Sequence, residues 1–118
     1  MVTLYGIKNC DSVKKARQWL EEKGIDYQFH DFRADGLSPE ALQEWLDELD
    51  WETLVNKRST GWKQLEPDAR NSMDAVSAKA AILEQPTLIK RPLLDTGHSV
   101  CTGFSADKYE KIFTQHTL

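Results

Sequence analysis

Residues 2–32, VTLYGIKNCDSVKKARQWLEEKGIDYQFHDF, carry the pattern on which the fold turns. Val2 to Ile7 is short, apolar and partly β-branched, and ends among Gly6 and Asn9, so it reads as a buried strand. From about Ser12 to Lys23, Val13, Ala16 and Leu20 recur at helical spacing and Trp19 broadens the stripe. Gly24 suits the position just past a helix end. Ile25 to Phe32 alternates apolar and polar residues through Ile25, Tyr27 and Phe29, which predicts a second strand. Strand, helix and strand within about 30 residues make a βαβ unit, so the two strands are expected to run parallel.

Downstream, Ser38-Pro39 reads as an N-cap followed by proline at the first helical position. Leu42, Trp45, Leu46 and Leu49 then form an apolar stripe. Asn56, Gly61, Pro67 and Asn71 break the pattern between Asp50 and Asp74, which suggests short helical turns. Ala75 to Leu83 is alanine-rich, and Val76, Ala80 and Leu83 share one face of the expected helix. The stretch from Pro86 to Pro92 reads as a short strand. Leu93 to Thr96 and Ser99 to Thr102 read as a hairpin turning at Gly97. Ser105 caps a last helix with Tyr109, Ile112 and Phe113 inward. The order βαβ, helices, ββα predicts an α/β protein of thioredoxin-like fold: a four-stranded mixed sheet in one domain, 1–118, with a helical insertion over about 38–84.

Composition narrows the function. The chain has 118 residues, enough for one domain with its own core. No apolar run approaches the roughly 18 residues of a membrane span, and the N-terminus reads as a strand instead of a signal peptide. A cytoplasmic protein with no membrane partner is expected. The net charge of −4 argues against direct nucleic-acid binding. Seven acids and no Lys or Arg lie between Ala34 and Asn56, as a solvated helix face or a protein-contact surface. Lys8 to Arg17, by contrast, holds four cations against Asp11. Cys10 and Cys101 are too few for a cysteine-rich zinc module, and in a reducing compartment they are expected to be free.

Cys10 is the sharpest feature. It stands between the first strand and the first helix, where unpaired N–H groups and the positive dipole end favour an anion and lower a thiol's pKa. Lys14 and Lys15 are placed in the first turn, where acids are the rule, and such a break beside a thiol hints at function. Cys10 is read as a reactive thiolate or as an inert cysteine at a turn. Val13 occupies the position where a dithiol site would place its second cysteine, so an outside thiol or Cys101 would have to resolve any mixed disulfide. Cys101 itself reads as a small packing hydrophobe. Arg91, before Pro92, could clamp an anion with its planar fork or be a solvated strand-end arginine, and fold analogy suggests a cis peptide between them. Lys57-Arg58-Ser59-Thr60 could close over an anion or be a plain surface loop. His30, His98 and His116 are scattered, and no metal site is expected.

Four stretches, YGIKNCDSVKKARQWLEEKGIDYQFHDF, LVNKRSTGWKQL, PTLIKRPLLDTG and VCTGFSADKYE, together resemble the ArsC/Spx family, closest to its small YffB members. The resemblance covers essentially the full chain. It implies a thioredoxin-like fold with a helical insertion, a nucleophile at Cys10, and an arginine before a cis-proline at Arg91-Pro92. Arsenate reductases of the family use three arginines on the oxyanion. Arg91 matches one, while Asn56 (next to Lys57 and Arg58) and Thr102 stand where the other two would fall. Spx-type regulators, which bind RNA polymerase, commonly carry a Cys-x-x-Cys switch that Val13 removes here. The expected function is a glutathione-dependent monothiol thiol reductase. Cys10 is its catalytic residue, and Arg91, Pro92, Lys8, Asn9, Lys14 and Arg58 bind the anionic substrate. No cofactor is expected to be bound; glutathione is the expected co-substrate and glutaredoxin a candidate partner. The alternatives are an arsenate reductase with a reduced anion site, or a Spx-like regulator, under which alone RNA polymerase is a partner.

Overall fold

The computed structural model describes residues 2–116, with side chains through Phe113. The side chain of His116, one of the three scattered histidines, lies outside the described part. The chain divides into two compact units, Met1–Asp31 with Arg91–Leu118, and Phe32–Lys90. The second is wider than the insertion expected over 38–84. Among the described residues no helix is long and apolar enough to cross a membrane.

The first unit holds the sheet. β1 (Val2–Gly6) pairs parallel with β2 (Tyr27–Asp31), and helix α1 (Asp11–Glu22) connects them. β3 (Leu93–Asp95) lies antiparallel to β1, and β4 (Val100–Thr102) antiparallel to β3, giving the order β2-β1-β3-β4. Gly24, at φ 69°, follows the last turn of α1, and its N–H donates to the Glu21 carbonyl at 3.1 Å. Leu4, Val13, Ala16, Leu20, Leu94 and Tyr109 are fully buried and pack as one cluster. Tyr109 comes from the closing helix, Ala106–His116, whose Tyr109 N–H donates to the Ser105 carbonyl at 3.0 Å. Trp19 meets Tyr109 edge-on at 5.5 Å between ring centroids.

The second unit is helical: α2 (Phe32–Asp35), α3 (Pro39–Glu48), α4 (Trp51–Leu54), α5 (Thr60–Lys63), α6 (Pro67–Asn71) and α7 (Ala75–Glu84). The closing helix of the first unit is therefore α8. Ser38 caps α3 by accepting the Ala41 N–H at 3.1 Å, and Leu42 and Trp45 are buried. Asp74 and Ser77 form a reciprocal capping box on α7.

The structure departs from the sequence pattern in two places. α7 buries Ala78 and Ile82, while Val76 is 80% exposed and Leu83 36%. Apolar residues surround this helix on nearly every side, so periodicity does not choose a face. Contact with α3, where Lys79 Nζ donates to Gln43 Oε1 at 3.0 Å, does. The stretch 86–92 is not a strand. Pro86–Leu88 forms a 3-10 turn, and only Ile89 pairs, by a single antiparallel bridge to Val55. A proline at each end removes two of the N–H donors a ladder would need.

Candidate active site

The site is built at one end of the sheet. β1 runs toward it and delivers Ile7 to Cys10. Because Tyr5 pairs with Leu93 and Leu93 with Thr102, the start of β3 and the finish of β4 reach the same end. Arg91-Pro92 immediately precedes β3, and the peptide between them is cis. The Pro92 carbonyl accepts the Gly103 N–H at 2.8 Å. Parallel pairing of Gly6 with Asp31 sets a buried carboxyl group at the same end.

Cys10 is the N-cap residue of α1, with extended φ −95° and ψ 124°. Its carbonyl accepts the Lys14 N–H at 3.0 Å, starting the helical ladder, while its side chain makes no cap hydrogen bond. The sulfur is thus left unengaged beside N–H groups that have no intrahelical acceptor. The residue is half-buried and packs against the Leu4–Tyr109 cluster. Gly6 makes this position possible. A Cβ there would stand 2.6 Å from Val13 Cγ2, so only glycine lets α1 approach β1 this closely. The sequence reading treats Gly6 merely as a strand boundary. Its signal is a glycine in an apolar strand just before a helix.

Arg91 is half-buried, and its Nε is shielded from solvent without a hydrogen-bond partner among the described residues. An unpaired buried N–H is costly unless an acceptor arrives. Pro92 is buried, and Lys8 and Asn9 are exposed in the turn ahead of Cys10. Lys14 is exposed and lines a groove along α1 with Arg17, Gln18, Glu21 and Glu22. α1 begins at Asp11, one residue before the expected start, so the first turn carries an acid, Asp11. Lys14 and Lys15 stand beyond it, and the expected break of the helix-charge rule disappears. Arg58 belongs to the second unit, in the turn between α4 and α5.

Both cysteines are free. Cys101, in β4 opposite Leu94, packs against the same cluster as Cys10. Burial pushes its thiol up from the ordinary range, with Lys108 pulling the other way. Burial, and then the charge of Cys101, push the Tyr109 hydroxyl up as well; that hydroxyl has no hydrogen-bond partner among the described residues.

Fold and residue placement together define a class: a thioredoxin-like domain with one cysteine heading its first helix and no second cysteine one turn on. The chain belongs to the ArsC family, whose model matches residues 5–112. A solved YffB protein is similar at 40% identity with a TM-score of 0.90, over 94% of this chain and 97% of its own. The solution structure of an arsenate reductase (ArsC) related protein from Brucella melitensis is 46% identical, with a TM-score of 0.77, covering 95% of this chain and 93% of that one. A global transcriptional regulator Spx from Lactiplantibacillus plantarum is 29% identical over 94% of this chain and 85% of its own length.

Proposed function

We propose that the protein is a glutathione-dependent monothiol thiol reductase of the cytoplasm. The observation that carries this reading is the Cys10 sulfur, uncommitted at the head of α1. In the first step the Cys10 thiolate attacks the glutathione sulfur of a mixed disulfide R–S–S–glutathione. A Cys10–glutathione disulfide forms as the S–S bond of the mixed disulfide breaks, and the R–S group leaves as a thiolate, which takes a proton from solvent. A second glutathione thiolate then attacks that intermediate, releasing oxidised glutathione and restoring Cys10. The substrate is thereby reduced by two electrons and two glutathione sulfurs are joined. Val13 stands where a local resolving thiol would be needed, which supports an outside one. Arg91 receives a carboxylate of glutathione on its unpaired guanidinium edge, Lys8, Asn9 and Lys14 add to the anion-favouring rim, and Pro92 shapes the groove. Glutaredoxin is a second candidate for the resolving thiol.

In a glutathione-coupled disulfide reduction assay, Cys10→Ser is expected to lose about three orders of magnitude or more of turnover. Arg91→Ala is expected to raise KM about tenfold with kcat little changed. Full turnover by Cys10→Ser would overturn the mechanism.

The similarity to Spx favours a second reading, a regulator that binds RNA polymerase, with the exposed Glu40, Glu44, Asp47 and Glu48 of α3 as its contact face. Failure to recover polymerase subunits in a pulldown would remove it. Arsenate reduction with a reduced anion site is a third, supported by the Brucella relative. Arsenate-dependent NADPH oxidation in a glutathione–glutaredoxin system tests it.

A further inference from the structure

Val76 and Leu83 are the large hydrophobic residues left exposed among the described residues, at 80% and 36%. Both belong to α7, with exposed Ala80 between them. Steps of four and three residues put the three on one stripe. The helix beneath is firmly held. Ala78 and Ile82 are buried on its opposite side, and the capping box closes its first turn, the Ser77 N–H donating to Asp74 Oδ1 at 2.9 Å. Single exposed apolar residues need no explanation, but three in line on an anchored helix form a patch.

The borders of the stripe are acidic. On one side Lys79 leads to a recess of about 370 Å³ shared with α3 and lined by Pro39, Glu40, Gln43, Glu44 and Lys79. The Lys79 ammonium is held by Gln43, whose amide in turn donates to Asp47 Oδ1 at 2.9 Å. Glu40 and Glu44 have no cationic partner among the described residues, and α3 has four acids and no Lys or Arg. On the other side stands Glu84, one turn beyond Ala80 and likewise without a cation among the described residues.

These charges decide the occupant. A second copy would set acid against acid, since the helical unit holds eleven acids and seven Lys or Arg. Three apolar side chains also fall well short of the roughly 800 Å² that each side of a stable interface buries, so the acidic flanks must be covered too. Apolar side chains flanked by Lys or Arg meet both requirements.

We propose that α7 docks a basic amphipathic helix of a partner protein, with its apolar face on Val76, Ala80 and Leu83 and its Lys or Arg toward Glu40, Glu44 and Glu84. The α3 acids also serve the polymerase reading above, but the α7 surface stands whether or not polymerase is a partner.

The test uses the full-length protein and a dye-labelled Leu/Lys peptide of about 18 residues in amphipathic helical order, beside a scrambled peptide of the same composition and a Leu/Glu counterpart. Fluorescence anisotropy should show saturable binding of the Leu/Lys helix, at least tenfold weaker binding of the scrambled peptide, and none of the Leu/Glu helix. Amide NMR should place the shifts on Val76, Ala80, Leu83, Glu40 and Glu44. Val76→Ser and Leu83→Ser, both at exposed positions, should each weaken binding about fivefold with the helix content by circular dichroism unchanged. Joint Glu40→Gln and Glu44→Gln substitution should do the same, and Glu22→Gln, on α1, should have no effect. Equal binding of the scrambled peptide, or indifference to both serine variants, would overturn the proposal. So would sedimentation showing dimers that Val76→Ser dissociates, which would make a second copy the occupant.

Discussion

At the scale of single residues, the two cysteines are set apart by what surrounds them. Cys10 heads a helix with its sulfur unbonded, whereas Cys101 sits in a strand among apolar neighbours that hold its proton on. The Cys101 thiol and the Tyr109 hydroxyl are both pushed up in the folded state. In the unfolded chain these groups lose their protons first, so at high pH the folded state binds more protons than the unfolded one. Their contribution to stability is full below the ordinary thiol value of 9.0 and is lost as pH rises past it. Urea midpoints measured from about pH 8 upward should therefore fall on the alkaline side, and Cys101→Val should make the fall shallower. An equally steep fall in the variant would refute this assignment.

At the scale of elements, the tight approach of α1 to β1 positions the thiol. Gly6→Ala places a methyl group against Val13 and should cost about 1–3 kcal/mol by overpacking. Adding Val13→Ala should relieve it, so the double variant is expected to be less destabilised than the two single losses predict. Denaturant unfolding of the four proteins checks this, and strict additivity would contradict it. Elements also show where sequence reasoning holds. The βαβ unit is legible because Val13, Ala16 and Leu20 repeat at helical spacing and the strands flank them at crossover length. α7 is legible as a helix but not in its orientation, since Val76, Ala80 and Leu83 make as good a stripe as Ala78 and Ile82. The run from Leu88 to Lys90 has strand-like residues, yet its neighbour Val55 offers only one bridge.

At the scale of the molecule, charge follows the division into units. The sheet unit has eight acids and eight Lys or Arg, so it is neutral, and the helical unit has eleven against seven. The entire net charge of −4 therefore belongs to the helical unit, and it says nothing about the ligand preference of the sheet unit's thiol end. The placement of Arg91-Pro92 at the Cys10 end of the sheet rests on strand register, which links residues some 80 positions apart, and composition does not encode it. The position of Cys10 at the head of α1 is legible in the sequence, while the helix start at Asp11 and the orphaned Nε of Arg91 are not, because burial of one atom depends on the packed neighbours.

The unused cap at Cys10 also sets a trade between activity and thermal stability. Serine is among the best N-cap residues, and its hydroxyl can accept the N–H that the sulfur leaves unbonded. Cys10→Ser should therefore melt several degrees higher than the natural chain in a calorimetric scan, while Cys10→Ala should not. A serine variant that melts no higher than the alanine variant would show the cap to be unavailable. If the difference is found, the chain forgoes a more stable first helix in order to keep a sulfur at its head.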